Sequence, residues 1–181
     1  MIDQRGEAGL KVDEIADMAE ITKPSLYHFF GDREGLVVAA QAERFRRSLR
    51  YGQEAALEIA RACTTKAEFE ALIMAGLTQF ADAKAVERRR VRIDVLGSAV
   101  SRPELLAEVN RVLTEAANDL ARLADIGRER GWVTSSFSSG SLAMWWYGTL
   151  LGRYLVETND QFDVTEWDGI MVRTLNNLLF G

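Results

Sequence analysis

The 181-residue sequence contains one histidine and one cysteine, which excludes several kinds of chemistry. His28 alone cannot build a histidine metal cluster, and no P-loop, dinucleotide fingerprint or paired-cysteine motif occurs. Cys63 cannot form an intramolecular disulfide, and we expect it to be a small buried apolar residue rather than a redox sensor. The sequence therefore predicts neither an enzyme nor a protein with a metal or cofactor, and a reducing cytoplasm is its expected compartment.

Proline and long apolar runs are also scarce. Pro24 and Pro103 are the two prolines, and no long run of alternating β-branched residues occurs, so we expect an all-α fold. The longest apolar run, from Leu142 to Leu151, is far shorter than the roughly 20 residues that span a bilayer. The start of the chain is polar and does not resemble a signal peptide. We expect a soluble protein with no membrane partner.

Positive charge is not in excess. Lysine and arginine total 22 against 27 aspartates and glutamates, which gives a net charge of −5. Residues 1–50 hold eight basic and nine acidic side chains. Any contact with nucleic acid must therefore be local.

A helix, a tight turn and a second helix are predicted between Val12 and Leu36. The first helix has its apolar side chains three and four residues apart, at Val12, Ile15, Ala16 and Ala19. Thr22 is a predicted N-cap that accepts from the amide of Ser25, with Pro24 in the first turn. Leu26 and Phe30 would face inward, with Ile21 at the entry of the second helix.

The outward residues of the second helix lie mostly in its first turns, which is the part of such a helix that enters a DNA major groove. Lys23 and His28 are candidates for base edges, and Tyr27 for the sugar-phosphate wall. Lys11 and Arg33 flank the two helices as candidates for phosphate contacts. The predicted DNA-binding residues are Lys11, Thr22, Lys23, Pro24, Ser25, Tyr27, His28 and Arg33.

The order I-A-x-x-A-x-I-T-K-P-S-L-Y-x-F-F-x-D-R-E-x-L resembles the helix-turn-helix signature of the tetracycline-repressor (TetR) family of bacterial transcription regulators. The sequence resemblance covers about 30 residues. In the rest of the chain only the expected arrangement of helices resembles the family. Glu20 stands where the family usually has glycine, so a positive φ there would cost about 1 kcal/mol.

The start of the chain is a second departure from the family pattern. Family members carry a helix of some twenty residues before the motif, whereas here only MIDQRGEAGLK precedes Val12, with Arg5-Gly6 resembling the end of that helix. Either the sequence begins late or the domain lacks its third helix. The first alternative is favoured, because Ile15, Leu26 and Phe30 would otherwise expose apolar surface.

Residues 1–45 are thus predicted to form a DNA-binding domain, and residues 46–181 a larger helical domain for ligand binding and dimerisation. We expect a helix from Asp32 to Ala62 with a solvated basic face, and one from Lys66 to Ala83. A helix from Glu87 to Val100 would expose Arg88, Arg89, Arg90 and Arg92 and bury Ile93, Leu96 and Val100. Three later helices are expected. The first would follow a cap at Ser101 and end at Gly131, the second would begin at Ser139 or Ser141, and the third would run from Thr165 to Phe180.

The helix LAMWWYGTLLGRYLVET is apolar on most of its circumference, which favours self-association. In family members, the last two helices pair with their twins in a four-helix bundle, and Gly148 with Gly152 would allow close helix approach. The predicted dimerisation residues are Gly148, Leu151, Gly152, Trp167, Met171, Leu175 and Leu178. A two-fold dimer would place two recognition helices about 34 Å apart, which suits a palindromic operator.

The resemblance also implies an apolar cavity in which a small molecule binds and shifts the two DNA-reading heads. The candidate lining residues, each of which could instead be plain core, are Leu77, Phe80, Asp94, Trp132, Trp145, Trp146 and Tyr147. The predicted function is a ligand-responsive repressor that binds double-stranded DNA as a homodimer and is released by an inducer. The alternative is a helical dimeric interaction protein that has lost DNA binding.

Overall fold

A computed structural model describes residues 2–49, 53–78 and 83–181, and every regular element in these ranges is helical. The all-α prediction is confirmed. The helices are α1 (Ile2–Arg5), α2 (Val12–Met18), α3 (Lys23–Phe30), α4 (Arg33–Leu49), α5 (Gln53–Ala62), α6 (Lys66–Thr78), α7 (Ala83–Ala99), α8 (Pro103–Glu129), α9 (Ser139–Glu157) and α10 (Val164–Phe180).

The first three helices and the start of α4 form a small head with its own apolar core. Its buried side chains are Ile2, Leu10, Val12, Ala16, Leu26, Leu36 and Val37. Two expectations were wrong here, because Ala19 is exposed at the end of α2 and Phe30 is 37% exposed at the end of α3. Both lie at helix ends, beyond the reach of this small core.

The fourth helix joins the head to the rest of the chain. Leu36 and Val37 belong to the head core, while Phe45 and Leu49 belong to the core of the body. The domain boundary predicted at residue 45 therefore falls inside a continuous helix. The predicted helix from Asp32 to Ala62 is described as α4 and α5, and the junction at 50–52 lies outside the described residues.

The body, residues 53–78 and 83–181 with the end of α4, is organised around α8. One face of this 27-residue helix buries Leu105, Val109 and Val112 against α4, α7 and α9. Its C-terminal half places Leu123 in a second cluster with α5, α6 and α10. Gly131, at φ 70°, follows the helix end as predicted.

Helix starts in the body differ from expectation by a few residues. Arg102, not Ser101, is the N-cap of α8 and gives no side-chain cap, since a guanidinium has no hydrogen-bond acceptor, and Pro103 occupies the first helical position. Ser138 caps α9 by accepting from the Ser141 amide at 3.1 Å, and Asp163 caps α10. Several serine or aspartate residues precede these helices, and each could serve as the N-cap, so the sequence alone does not determine which one does.

Helix α7 departs most from its predicted faces. Arg89 and Arg92 are buried, at 2% and 7% exposure, whereas Val100 is 84% exposed beyond the helix end. The buried face carries Ala85, Arg89, Arg92, Val95 and Ala99, which share one side of a helix. Two arginines therefore occupy core positions that a charge-based prediction assigned to solvent.

An ion-pair cluster explains the burial of the first of these arginines. Arg89 of α7 donates through Nε to both carboxylate oxygens of Glu157 on α9, at 3.0 and 3.1 Å. Arg153 donates to Glu157 and, at 2.6 and 2.8 Å, to Asp168 of α10. Two arginines thus face two carboxylates, which compensates the cost of burying each charge and ties α7, α9 and α10 together.

None of the described helices is long and apolar enough to cross a membrane.

Candidate functional site

The turn between α2 and α3 fixes the direction of α3. Glu20 takes φ 56°, the left-handed conformation that glycine adopts at lower cost. Thr22 then caps α3 as predicted, accepting from the Ser25 amide at 3.3 Å, and Pro24 lies in the first turn. Leu26 anchors the helix in the head core, which leaves its opposite face to solvent.

The predicted DNA-contacting residues are mostly exposed, on α3 and at its flanks. Thr22, Lys23, Pro24 and His28 are exposed, Tyr27 is 39% exposed, and Ser25 is half-buried beside the cap. Lys11 precedes α2 and Arg33 begins α4, and both are exposed at the flanks of α3. We call the solvent face formed by residues 22–28 the α3 surface.

Ion pairs within the head engage the candidate phosphate-binding cations. Lys23 Nζ lies 2.6 Å from Asp13 of α2, and this hydrogen bond raises the pKa of Lys23. Lys11 Nζ lies 3.3 Å from Glu14, whose carboxyl pKa is lowered by this contact. A phosphate must therefore compete with a carboxylate for each lysine.

Arg33 has a structural partner as well. Its Nη2 donates to the backbone carbonyl of Glu7 at 2.8 Å, which ties the start of α4 to the turn after α1. One guanidinium offers five N–H donors, so this bond leaves others for a phosphate. The α3 surface thus presents hydroxyls, a lysine, an imidazole and a phenol to solvent.

A cavity of about 440 Å³ lies in the body, between α5 to α10 and the end of α4. Its volume is within the range of small-molecule sites in proteins. Three of the predicted ligand residues line it, namely Leu77, Trp146 and Tyr147. Exposed Ala55, Ile59 and Gly76 mark the side on which it meets the surface.

Three further predicted ligand residues, Asp94, Trp132 and Trp145, lie in the described part of the chain but not in the cavity lining. Asp94 lies on another face of α7, 59% exposed, and pairs with Arg44 at 2.8 Å rather than with Arg90 or Arg92. Trp132 packs on Phe69, at 5.7 Å between ring centroids, and Trp145 is 36% exposed on the outer face of α9. Phe80 lies outside the described residues.

The sequence prediction missed the polar end of the cavity. Arg88, Arg89, Arg92 and Gln53 line it, and no aspartate or glutamate occurs among the described lining residues. Tyr147 donates its hydroxyl to the Ala116 carbonyl at 3.4 Å and accepts from Gln53 Nε2 at 2.8 Å; burial raises its pKa. The spacing of Ala85, Arg89, Arg92 and Ala99 along one helix face was the available signal.

Helix α7 also contacts the head. Ser98 Oγ donates to the Glu7 carboxylate at 2.6 Å, and Arg102, just after α7, donates to the same carboxylate at 2.6 Å. Arg44 of α4 pairs with both Asp3 and Asp94, which links α1 to α7. One helix thus carries cavity-lining arginines on one face and head contacts near its C-terminal end.

The predicted dimerisation residues divide between the interior and the surface. Met171 and Leu175 are 2% and 7% exposed and belong to the chain's own core, so little of either side chain is left for a second copy to contact. Trp167 packs within the chain over Gly152 and is half-buried, as are Leu151 and Leu178. Gly148 is exposed on α9.

An outer apolar face runs along α9 and α10 beside these residues. Met144, Leu155 and Ile170 are 44%, 73% and 60% exposed. On α9, residues 144, 148, 151 and 155 are spaced by four, three and four, so they share one side of the helix. We call these four positions with Ile170 the α9–α10 face.

Comparison with known proteins gives a family match at the N-terminus. Residues 1–40 match the family described as "Bacterial regulatory proteins, tetR family". No curated protein matches the chain in a sequence search.

Solved structures with the same fold extend over nearly the whole chain. A protein described as a TetR-family transcriptional regulator from Rhodococcus sp. is 20% identical, with a TM-score of 0.69 over 98% of this chain and 92% of that one. The transcriptional regulator FadR of Bacillus subtilis, in complex with stearoyl-CoA, is 19% identical, with a TM-score of 0.58 over 98% and 93%. A regulator from Saccharomonospora viridis, in complex with choline, is 13% identical, with a TM-score of 0.59 over 97% and 89%.

Proposed function

We propose that the chain is a ligand-responsive repressor of transcription, because residues 1–40 match the TetR family of bacterial regulatory proteins and solved structures described as TetR-family regulators share its fold along nearly its full length. The observation that carries the proposal is the α3 surface. A capped helix, anchored by Leu26, presents Lys23, Tyr27 and His28 to solvent from its first two turns.

DNA recognition requires two copies of this surface. A homodimer formed through the α9–α10 face would bind a palindromic operator, with one α3 in each of two major grooves about 34 Å apart. The exposed Leu155 and Ile170 support such a contact, because an apolar strip on a helix pair is stabilised by a partner.

Release by an inducer would run through α7. A small molecule in the cavity would contact the arginines of α7, and Ser98 and Arg102 at the other end of the same segment hold Glu7 of the head. The effector must bind the released state more tightly than the DNA-bound state. FadR with stearoyl-CoA and the choline complex are proteins of this fold that hold small molecules, which supports an effector of this kind.

The test is binding of the full chain to DNA flanking its own gene, measured by fluorescence anisotropy at two salt concentrations with competitor DNA. Tyr27→Ala should reduce operator affinity at least about tenfold without loss of helix content, since it removes a groove contact and leaves the Leu26 anchor in place. Phe137→Ala is a matched control, because this aromatic residue is 56% exposed in the loop before α9.

Wild-type affinity in Tyr27→Ala would overturn the assignment of the α3 surface. A different outcome would favour a dimeric interaction protein instead. In it, wild type and both variants would bind every flanking DNA fragment equally weakly, and the higher salt concentration would abolish this binding. One observation supports this alternative. Lys11 and Lys23 are paired with carboxylates, which lowers the positive potential of the head and so its attraction for DNA.

A further inference from the structure

Arg92 is a buried cation without an anion. It is 7% exposed, and it forms no ion pair with any described residue. Its Nη2 donates to the backbone carbonyl of Ser48, and its Nε has no hydrogen-bond partner. A buried charge without a counter-charge is strongly disfavoured, so such an arrangement is expected where a ligand supplies the missing partner.

The surroundings of Arg92 leave the charge uncompensated. The neighbouring Arg88 and Arg89 also line the cavity and supply no counter-charge to Arg92, and the Glu157 carboxylate is already held by Arg89 and Arg153. No carboxylate occurs among the described lining residues, and burial lowers the pKa of Arg92 only to about 10. The guanidinium is therefore charged at neutral pH, and this end of the cavity is cationic.

The rest of the cavity wall is apolar. Leucine, isoleucine, phenylalanine and alanine side chains from α5, α6, α8 and α10 dominate it, among them Ile59, Phe69, Leu72, Leu123 and Leu179. Such a wall offers an elongated hydrocarbon body favourable burial and offers no carboxylate to a cationic head group.

We propose that the effector of this protein is an amphipathic anion, a carboxylic acid with an apolar body, whose carboxylate is bound by Arg92 and whose body lies against the apolar wall of the cavity. The role of this molecule as an effector rests on the proposed function. The cavity's preference for an anion does not, because it follows from Arg92 alone. Guanidinium and carboxylate match in a two-bond geometry that a neutral or cationic head group lacks.

The test compares three probes with the same hydrocarbon chain, dodecanoate, dodecanol and dodecylamine, by isothermal titration calorimetry on the full chain without DNA. Wild type should bind dodecanoate at least about tenfold more tightly than dodecanol, and dodecylamine most weakly. In Arg92→Met, dodecanoate affinity should fall to that of dodecanol, while dodecanol affinity stays close to its wild-type value and reports an intact cavity. Arg92→Lys should restore part of the preference.

The matched control is Arg90→Met on the exposed side of the same helix, which should leave all three affinities unchanged. Equal affinity of wild type for dodecanoate and dodecanol would overturn the proposal, as would a preference that survives Arg92→Met. If Arg92→Met fails to fold, Arg92→Gln with the same probes decides the point. These affinities are measured without DNA, so they do not depend on whether the wild type binds DNA. The DNA-binding experiment tests the proposed function separately.

Discussion

Lys23 stands at the start of α3 with Asp13 2.6 Å away, and this pair decides how strongly the α3 surface attracts DNA. Both side chains are well exposed, at 47% and 71%, so their mutual attraction is weak. A nearby DNA phosphate would nevertheless meet a dipole rather than a free cation. Asp13 thus reduces the contribution of Lys23 to DNA affinity, and it does so equally for every DNA sequence, because phosphates carry no sequence information.

Asp13→Asn should therefore strengthen DNA binding severalfold at low salt and make its salt dependence steeper by about one ion, because Lys23 becomes available to a phosphate. Anisotropy titrations on an operator and on a scrambled duplex would show the same gain for both. Asp17→Asn is the matched control, since Asp17 is exposed on the same helix and outside this ion pair. An unchanged salt slope in Asp13→Asn would contradict the phosphate role of Lys23.

Among the elements, α7 is the one that connects the cavity with the head. Its buried face carries Arg92, and its C-terminal end reaches Glu7 through Ser98 and the following Arg102. Hydrogen bonds from Ser98, Gln41 and Arg102 together outweigh the burial of the Glu7 carboxyl and hold its pKa below the usual value of 4.5. The contact between head and body thus depends on an ionised Glu7.

A lowered pKa in the folded state gives a stabilisation that is present above the unfolded pKa and is lost as the pH falls through the folded value. Glu7→Gln should therefore lower the free energy of unfolding by about 1–2 kcal/mol at neutral pH and flatten its decline below about pH 4.5. Urea titrations at neutral and acid pH would measure both effects. Glu34→Gln is the control, because Glu34 meets the same Arg102 at 3.1 Å but is 48% exposed.

The same substitution tests coupling between the sites. If Glu7 transmits the effector's influence, Glu7→Gln should weaken the effect of dodecanoate on DNA affinity while each binding event persists on its own. A variant that retains full coupling, with the expected loss of stability, would place transmission in other contacts, for example Arg44 with Asp3 and Asp94.

Helix α3 could be predicted from the sequence almost completely, and α7 could not. The cap at Thr22 depends on neighbours within a few residues, and the burial of Leu26 follows from the helix periodicity. The positive φ of Glu20 was expected from the family resemblance, because glycine is usual at that position. The spacing along α7 places Arg89 on one face with Ala85 and Ala99, but its burial also depends on an ion pair with Glu157, which is 68 residues away in sequence. Arg92 is harder still to predict, because it is buried without a carboxylate partner among the described residues, against the ordinary preference of arginine for solvent.

The same limit applies to the aromatic residues of α9. Trp145, Trp146 and Tyr147 are consecutive, so a helix must send them in three directions. Tyr147 is buried and lines the cavity together with the half-buried Trp146, whereas Trp145 is 36% exposed on the outer side. Composition predicted an apolar helix, and only the packing of α8 and α10 around it distinguishes cavity, core and surface.

At the scale of the whole molecule, the α9–α10 face is the surface on which we expect the second copy. Leu155 is 73% exposed within an apolar strip that continues through Gly148 and Met144. In a two-fold dimer, the same residue occurs on both sides of the contact, so one substitution changes the interface twice. Two glutamates brought together in an apolar contact would lose hydration and repel one another.

Leu155→Glu should therefore convert the dimer into a monomer in sedimentation-velocity experiments, with little change in helix content, because position 155 is outside the chain's own core. Operator affinity should fall with it, since one α3 surface then reaches only half of a palindrome. Val100→Glu, at a side chain 84% exposed beyond the end of α7, should leave the dimer intact. A Leu155→Glu protein that still sediments as a dimer would exclude this face as the interface and require the two α3 surfaces to be paired through another part of the body.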